Sequence, residues 1–347
     1  MHSEGAAERS KLNRLPLKSA VRYARRYAFS LVKNGIKVML GRSPFFHDED
    51  LFFRQYLLQV LGLRPIRQIN CPGLHSEGAG SQAVMLLDAI NFCRCCGLTY
   101  VHTPFSQIAH SDGRPSAEWN AVWEKHFNLG AGEIPWTGNR HEVVSYCSNR
   151  QSLHHVFGWP AFEEEFRRSF QAMIPEIRRK YYLNKTPRRN AELVVAVHIR
   201  RGDVSSARKE HFTSSESILR TVQQVEAVLH SRGLCHSIAV YSEGSPRDFE
   251  EFAQTGAQLW ISADPVWTMS EMIEADILIM AKGYFSYYAG LVCDGIKIFD
   301  GEQPPAEDFI VRALDGSFDG AVFERQLDHL LEIRAHILSG FADKTDK

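Results

Sequence analysis

The sequence predicts an α/β fold built on a doubly wound parallel sheet, and three observations carry that prediction. From Ala191 onward, short apolar runs alternate regularly with amphipathic helical segments. The runs are continuously apolar and rich in β-branched residues, as strands buried on both faces are. The chain has 347 residues, of which 44% are hydrophobic, so it is long enough for two globular domains, each with its own core.

The first half of the chain has widely spaced elements. A helix is expected over residues 51–62, and a glycine-rich turn leads into a helix over Ser81–Cys96 that Gly97 stops. The elements expected after it are a strand over Leu98–His102, a helix over Ser116–Phe127, a strand over Glu142–Cys147 and a helix over Ala161–Tyr182. Pro175 is expected to kink or divide the last of these helices.

The second half alternates strand and helix in a regular series. Start and stop signals place its five strands at Leu193–Ile199, Ser237–Tyr241, Gln258–Ser262, Asp276–Met280 and Ile296–Phe299. A capping box of Thr213 and Glu216 is expected to open the first intervening helix. The apolar face of that helix is expected to consist of Ile218, Val222, Val225 and Leu229. The polar segment 184–190, which contains a proline, is the expected domain boundary.

This pattern assigns four segments to the chain. They are a basic N-terminal helical arm (1–60), an N-terminal α/β domain (61–188), a C-terminal α/β domain with a Rossmann-like parallel sheet (189–325), and a C-terminal helix with a tail (326–347). Ligands of open α/β sheets collect at the carboxyl ends of the strands. We therefore expect a binding site where the strands of the C-terminal α/β domain end.

Charge and cysteine content bear on which partners are expected. The net charge of −1 at pH 7 gives no global attraction to nucleic acid, so no nucleic-acid partner is expected. Seven cysteines, an odd number, favour reduced thiols. The cluster of Cys93, Cys95 and Cys96 has no second group at zinc spacing and is interpreted as part of a helix core, so no metal site is expected.

The sequence has no apolar run of about 18 residues that would span a membrane, and residues 1–20 lack the apolar core of a signal peptide. A cytoplasmic location is therefore expected. Between Arg9 and Arg42, however, every charged residue is basic. Two interpretations of that segment stay open: an amphipathic helix lying on an anionic membrane surface, or a solvated helix packed on the domain.

The most informative segment is VVAVHIRRGD, residues 194–203, because an apolar run there ends abruptly in polar side chains. These are His198, Arg200, Arg201 and Asp203. Two adjacent arginines at the exit of a parallel strand favour phosphate binding, since guanidinium groups grip phosphate oxygens bidentately. The alternative is an Arg–Asp ion pair that closes a surface turn, for which Arg201, Gly202 and Asp203 suffice.

Other predicted strands also end in polar residues. Ser242 and Glu243 follow the second strand, and Ser286 lies in the helix that starts at Phe285. That helix is expected to point its N-terminus at the same sheet edge, where its free N–H groups favour an anion. A pyrophosphate fits such a place, with Glu243 accepting hydrogen bonds from a ribose or a base. The alternative for Ser242 and Glu243 is a helix-capping turn.

Four motifs together resemble those of one known superfamily. They are VHIRRGD (197–203), YSEG (241–244), DILIMAKGYFSYYAGLV (276–292) and EGAGSQ (77–82). In order and spacing they resemble the motifs of the α1,2-, α1,6- and protein O-fucosyltransferases, including the nodulation-type enzymes. The resemblance implies a GT-B fold of two facing Rossmann-like domains with parallel sheets. It assigns the nucleotide sugar to the C-terminal domain and the acceptor side to the N-terminal one.

The resemblance also implies an activity and a role for each matching residue. The activity is transfer of fucose from GDP-fucose, as donor substrate, to a hydroxyl of a glycan or glycoconjugate, with inversion and without a metal ion or other cofactor. Arg200 would neutralise the β-phosphate as GDP departs, Ser286 would support the same phosphate, and Arg201 would hold the adjoining loop or the nucleotide. The other implied binding residues are His198, Asp203, Ser242, Glu243, Phe285, Gly80, Ser81 and Gln82.

Inversion normally requires a base that takes the proton of the acceptor, and Glu210 is the first candidate, with His211 second. The chain also departs from the family pattern at several positions. Ser81 replaces an asparagine, Gly78 stands where the protein O-fucosyltransferases carry arginine, Glu243 replaces an aspartate, and Lys282 with Gly283 replaces a serine. Two alternatives therefore stay open: transfer from another nucleotide-sugar donor, or binding of a nucleotide sugar without turnover.

Overall fold

The computed structural model describes residues 66–345, except residues 75, 112, 139–142, 158–162, 189, 205–211, 302 and 305. The predicted N-terminal arm, its membrane-binding segment and the helix expected over 51–62 lie outside the described residues. The described chain divides into two compact units, the first ending at Met173 and the second beginning at Ile174. The division falls within a helix that runs over Glu163–Tyr182.

The described residues of the first unit form a sheet of four parallel strands in the order β3-β2-β1-β4. The strands are β1 (Gln68–Asn70), β2 (Thr99–His102), β3 (Ile134–Pro135) and β4 (Val143–Ser145). The helices that begin in this unit are α1 (Ala79–Cys96), α2 (Ser116–Phe127), α3 (Tyr146–Val156) and α4 (Glu163–Tyr182). Gln68 in β1 lies opposite both Thr99 and Val143, so β1 is the strand at which the chain order reverses.

Most predicted elements of the first unit are present, with three corrections. The strand predicted over Glu142–Cys147 stops at Ser145, and α3 starts at the next residue. Strands β1 and β3 were not predicted from the sequence. Pro175 does not divide α4, which continues from Glu163 to Tyr182. Burial of the neighbouring Ile174 and Ile177 offsets the loss of the backbone hydrogen bond that proline cannot form.

The described residues of the second unit form a parallel sheet of six strands in the order β10-β9-β8-β5-β6-β7. The strands are β5 (Leu193–Ile199), β6 (His236–Ser242), β7 (Gln258–Ile261), β8 (Ile277–Ile279), β9 (Ile296–Phe299) and β10 (Phe309–Val311). This is the 3-2-1-4-5-6 order of doubly wound folds. The predicted fold class, α/β with two parallel sheets of the Rossmann type, is therefore confirmed.

The helices of the second unit flank its strands. They are α5 (Ser215–Ser231), a 3₁₀ helix (Pro246–Phe249), α6 (Glu250–Ala253), α7 (Pro265–Ile273), α8 (Tyr284–Val292) and α9 (Gly320–Thr345). The apolar face predicted for α5 is confirmed, since Ile218, Val222, Val225 and Leu229 are all buried in the core against β5. The burial of these four side chains is the main contribution to the free energy that holds α5 on the sheet.

Two sequence predictions for this unit are wrong. The helix α5 is capped by Ser214, whose side chain accepts from the Ser217 N–H, and not by Thr213. Thr213 instead donates to the carboxylate of Asp300 at 3.0 Å. The described sheet also has a sixth strand, β10, which was not predicted because its three residues are too few to show a period.

The cysteines lie among the described residues, and none of them forms a disulfide there. Cys93 is buried, whereas Cys95 and Cys96 are only half-buried, because successive residues of α1 point in different directions. No cluster of His, Cys, Asp and Glu in the described part of the chain is arranged to hold a metal ion. Within those same residues, no helix is both long and apolar enough to cross a membrane.

Replacing Gly295 by alanine tests the packing between β8 and β9. A Cβ at this position would lie 2.4 Å from the carbonyl oxygen of Asp276 and 2.5 Å from that of Ala275. Because both contacts are backbone, Gly295→Ala is expected to lower the free energy of unfolding by roughly 2 kcal/mol. Gly320→Ala is the control, since its nearest such neighbour, Nε2 of Gln224, is 3.7 Å away. Equal urea midpoints for the two variants would contradict this packing.

Candidate functional site

The candidate site lies at the carboxyl ends of β5 and β8, which are neighbours in the sheet of the second unit. Val195 lies opposite Ile277 and Val197 opposite Ile279. Strand order reverses between these two strands, and ligands of open α/β sheets bind in the crevice at such a reversal. The two segments that leave this edge are the loop after β5 and the loop before α8.

A hydrogen-bond network joins the end of β5 to the start of α8. Nδ1 of His198 hydrogen-bonds to the hydroxyl of Ser286. Ser286 is fully buried, and its oxygen also accepts from the N–H of Ala281 at 3.1 Å. The ring of Phe285 lies 5.5 Å from that of His198. His198, Ser286 and Phe285 therefore lie together at this edge of the sheet.

His198 carries no charge at neutral pH in this environment. Burial of its ring, together with the positive charge of Arg200, lowers the pKa of His198 to about 4. A neutral imidazole can hold Ser286 in place without placing a second cation beside the guanidinium. The positive charge at this point of the sheet edge therefore belongs to Arg200.

The guanidinium of Arg200 lies against the N-terminus of α8. Its Nη1 is 2.5 Å from the position that a Cβ on Gly283 would occupy. Gly283 has a φ of 110° and precedes the first turn of α8. Only glycine adopts this backbone conformation without strain. The guanidinium and the N-terminus of α8, which carries a positive partial charge, therefore lie together, which is favourable for an anion.

The other side of the Arg200 guanidinium is paired with Asp203. Nε and Nη2 donate to the two carboxylate oxygens at 3.3 and 2.8 Å. The ion pair that the sequence allowed in this turn thus forms with Arg200 rather than with Arg201. The Asp203 side chain is 46% exposed, and exposed pairs contribute only about 0.2–1 kcal/mol. A ligand phosphate can therefore replace this carboxylate at small cost.

Arg201 holds its own loop. Its Nη1 donates to the carbonyl of Arg200 at 2.9 Å, and its Nη2 donates to the hydroxyl of Ser215 at 3.2 Å. The guanidinium also lies 4.4 Å above the ring of Phe212. These contacts correspond to the first of the two roles expected for Arg201, that of fixing the adjoining loop. The two adjacent arginines therefore make different contacts in the structure.

Ser242 and Glu243 lie beside this loop at the end of β6. The buried Ser242 hydroxyl donates to the carbonyl of Ile199 at 2.7 Å, which ties β6 to the last residue of β5. The helix-capping turn expected here is made instead by Ser245, which forms a capping box with Asp248. The Glu243 carboxylate packs on Gly202, where a Cβ would be 1.9 Å from its Oε2.

The remaining candidate residues lie in the first unit or outside the described residues. Gly80, Ser81 and Gln82 belong to the first turn of α1 in the first unit. Gln82 is fully buried, and its Nε2 donates to the carbonyls of Glu77 and Gln107 at 2.7 Å each, so it braces the loops around α1. Glu210 and His211, the candidate bases, lie outside the described residues.

Sequence reasoning missed the contribution of Gly283 to the site. The residue was noted only as a departure from the family pattern, although its approach to Arg200 is what lets the guanidinium reach the start of α8. The available signal was a glycine between an apolar strand and a helix, which indicates a position of close backbone approach.

Comparisons with known proteins include a remote structural likeness. No protein-family model and no curated protein sequence matches the chain. Among solved structures, the chain is similar to the crystal structure of POFUT1 in complex with GDP-fucose, with 12% sequence identity and a TM-score of 0.32. The similarity covers 66% of this chain and 94% of that chain. At so low a score, the site has to be interpreted from its own geometry.

A proton titration of His198 tests the electrostatics of the site. We expect its ring resonances in NMR spectra to shift with a midpoint near pH 4, against about 6.5 in the urea-unfolded chain. As the pH falls, the unfolded chain takes up this proton before the folded chain does. The stability due to the neutral ring is therefore complete above pH 6.5 and decreases as the pH drops toward 4. The loss is at most about 3 kcal/mol. A native midpoint near 6.5 would show that the ring is solvated and uncoupled from Arg200.

Proposed function

We propose that the protein is an inverting glycosyltransferase that moves fucose from GDP-fucose to a hydroxyl of a glycan or glycoconjugate without a metal ion. The observation that supports this most strongly is the position of Arg200, a cation held against the N-terminus of α8 at the reversal point of the sheet. The resemblance of the four motifs to fucosyltransferases supports the choice of donor.

In this proposal the β-phosphate of the donor binds between Arg200 and the first turn of α8. The guanidinium donates to phosphate oxygens, the backbone N–H groups of that turn donate alongside it, and Asp203 gives up its pairing as the phosphate arrives. Ser286 is held by His198 and by the Ala281 N–H, so the turn is already in place before the ligand binds. Such preorganisation is what makes donors effective on developing charge.

The reaction proposed is a single displacement. The acceptor oxygen forms a bond to C1 of fucose while the bond from C1 to the β-phosphate oxygen breaks, and GDP leaves with the electron pair. Arg200 offsets the negative charge that grows on the departing diphosphate, which is the task a divalent cation performs in other transferases. Glu210 is proposed to take the acceptor proton, with His211 as the second candidate. Glu243 is proposed to accept hydrogen bonds from the nucleoside.

Replacing Arg200 tests this function directly. We expect Arg200→Ala to lower kcat/KM for GDP-fucose by roughly 10²–10³, because it removes the main donor to the leaving group. Arg200→Lys is expected to recover only part of the loss, since an ammonium lacks the planar fork. Arg220→Ala is the matched control, as Arg220 pairs with Asp315 on the surface of the same unit. The measurement is GDP release with a panel of glycan acceptors.

Calorimetry with GDP, GDP-fucose and UDP-sugars separates the alternatives. Binding of GDP and GDP-fucose that weakens in Arg200→Ala supports the proposal. Tighter binding of a UDP-sugar would favour a different donor, and binding of GDP-fucose with neither hydrolysis nor transfer would favour a protein that binds without turnover. If Arg200→Ala leaves turnover intact, the guanidinium does not have the role proposed for it.

Replacing Gly283 by alanine displaces Arg200 without removing its charge. The added Cβ would lie 2.5 Å from Nη1 of Arg200, so Gly283→Ala is expected to reduce turnover at least tenfold. Gly256→Ala is the matched control because Gly256 also has positive φ, 85° against 110°, but has no neighbour within 4 Å. Both variants are expected to lose stability from backbone strain, and only Gly283→Ala is expected to lose activity. Equal activity of the two variants would count against the close approach of Arg200 to Gly283.

A further inference from the structure

Two cysteines meet at the carboxyl edge of the sheet in the first unit. Cys71 follows β1 and Cys147 follows β4, and these strands are parallel neighbours with Asn70 opposite Ser145. The two thiols hydrogen-bond to each other. Continuing this register places Cys71 beside Tyr146, the residue before Cys147, and neighbouring strands lie about 4.8 Å apart. The two sulfurs therefore lie close to each other on adjacent segments of the chain.

The two thiols differ in exposure. Cys71 is fully buried, whereas Cys147 is partly exposed and lies in the first turn of α3, an 11-residue helix. Sγ of Cys147 lies 3.2 Å from the hydroxyl of Ser145 and 3.3 Å from the carbonyl of Gly73. A reagent from solvent can therefore reach Cys147 first, and Cys71 lies directly behind it.

The surroundings also favour different charge states. Hydrogen bonds from Cys71, and from the hydroxyls of Ser145 and Ser148, lower the pKa of Cys147 to about 6, although burial opposes the shift. The hydrogen bond to Cys147 and complete burial raise the pKa of Cys71 well above its usual value. Burial likewise raises the pKa of the Cys293 thiol to about 11. A thiol with a lowered pKa beside one with a raised pKa is the arrangement of known dithiol exchange sites.

We infer that Cys147 and Cys71 form a thiol–disulfide exchange site whose co-substrate is a low-molecular-weight disulfide. The thiolate of Cys147 attacks one sulfur of the small disulfide, whose S–S bond breaks and releases one thiolate. The thiol of Cys71 then loses its proton and attacks Sγ of Cys147, and the second small thiolate leaves. The two cysteines lose two electrons, and the small disulfide is reduced to two thiols.

The resulting bridge would act on the loop after β1. Cys147 already contacts Gly73, and a Cβ on Gly73 would lie 1.9 Å from Oε1 of Gln82 in α1. Residues 71–73 therefore connect the thiol pair to the loop that leads into α1. Oxidation would fix this loop to the start of α3, and reduction would release it.

The test is to expose the reduced full-length protein to glutathione disulfide at pH 7, quench with acid and map the products by mass spectrometry. The expected product of the natural chain is a peptide linked through Cys71 and Cys147. Cys71→Ser is expected to accumulate glutathione on Cys147, because the second step is blocked, and Cys147→Ser to form neither product. Cys235→Ser removes an exposed cysteine outside the pair and is expected to leave the linked peptide unchanged.

A second measurement does not depend on the folding of a variant with a changed core cysteine. In the natural chain at pH 6, alkylation of Cys147 by iodoacetamide is expected to be roughly tenfold faster than in the urea-unfolded chain, after allowing for the lower nucleophilicity of a more acidic thiolate. The inference is overturned if Cys147 reacts no faster when folded. It is also overturned if glutathione remains on Cys147 of the natural chain with no linked peptide formed.

Discussion

The side-by-side placement of β5 and β8 is the constraint on which the rest of the second unit's site depends. The chain passes through β6 and β7 on one side of β5 before returning to place β8 on the other. Connections therefore leave the shared edge in opposite directions, and the loop after β5 and the start of α8 face a common gap. His198 and Ser286 close a hydrogen bond across it between residues 88 positions apart in sequence. Without that strand order, this hydrogen bond could not form.

Among the described residues at this gap, Arg200 is the cation that lies against the first turn of α8. Burial and the positive charge of Arg200 lower the pKa of His198, and Arg201 donates to Ser215 and to its own loop. Asp203 accepts from the Arg200 guanidinium and keeps it oriented along the edge. Because the Asp203 side chain is nearly half exposed, its ion pair with Arg200 contributes little stability. The carboxylate therefore competes only weakly with a doubly charged phosphate for the guanidinium.

Much of the second unit could be predicted from sequence because its signals are strong and redundant. Strands β5 and β9 were placed to the residue, since each is a continuous apolar run with clear ends. Strands β1, β3 and β10 have two or three residues each and were not predicted, whereas the equally short β4 and β8 were predicted as parts of longer segments. The helix cap was misplaced by one residue because Thr213 and Ser214 are both good capping residues, and only the fold decides between them.

The candidate site was predictable in outline and less so in its contacts. Strand exits rich in polar residues pointed to the edge at which the structure brings His198, Arg200 and Ser286 together, because parallel strands end on the same side. Residue types and spacing alone did not distinguish Arg200 from Arg201, which only the family resemblance separated, since adjacent residues after a strand diverge only once the loop has a conformation. The sequence also left open whether Ser242 belongs to a helix-capping turn, whereas its hydroxyl joins two strands. Those assignments depend on contacts between residues up to 43 positions apart.

The close approach of Gly283 to Arg200 links two positions that are 83 residues apart in the chain. The space beside the backbone at 283 is already filled by the tip of the arginine, so the two sites share one volume. A larger residue at 283 is compatible only with a shorter or differently directed one at 200. In a related chain with a side chain at position 283, an arginine at 200 should therefore leave the first turn of α8 along a different path.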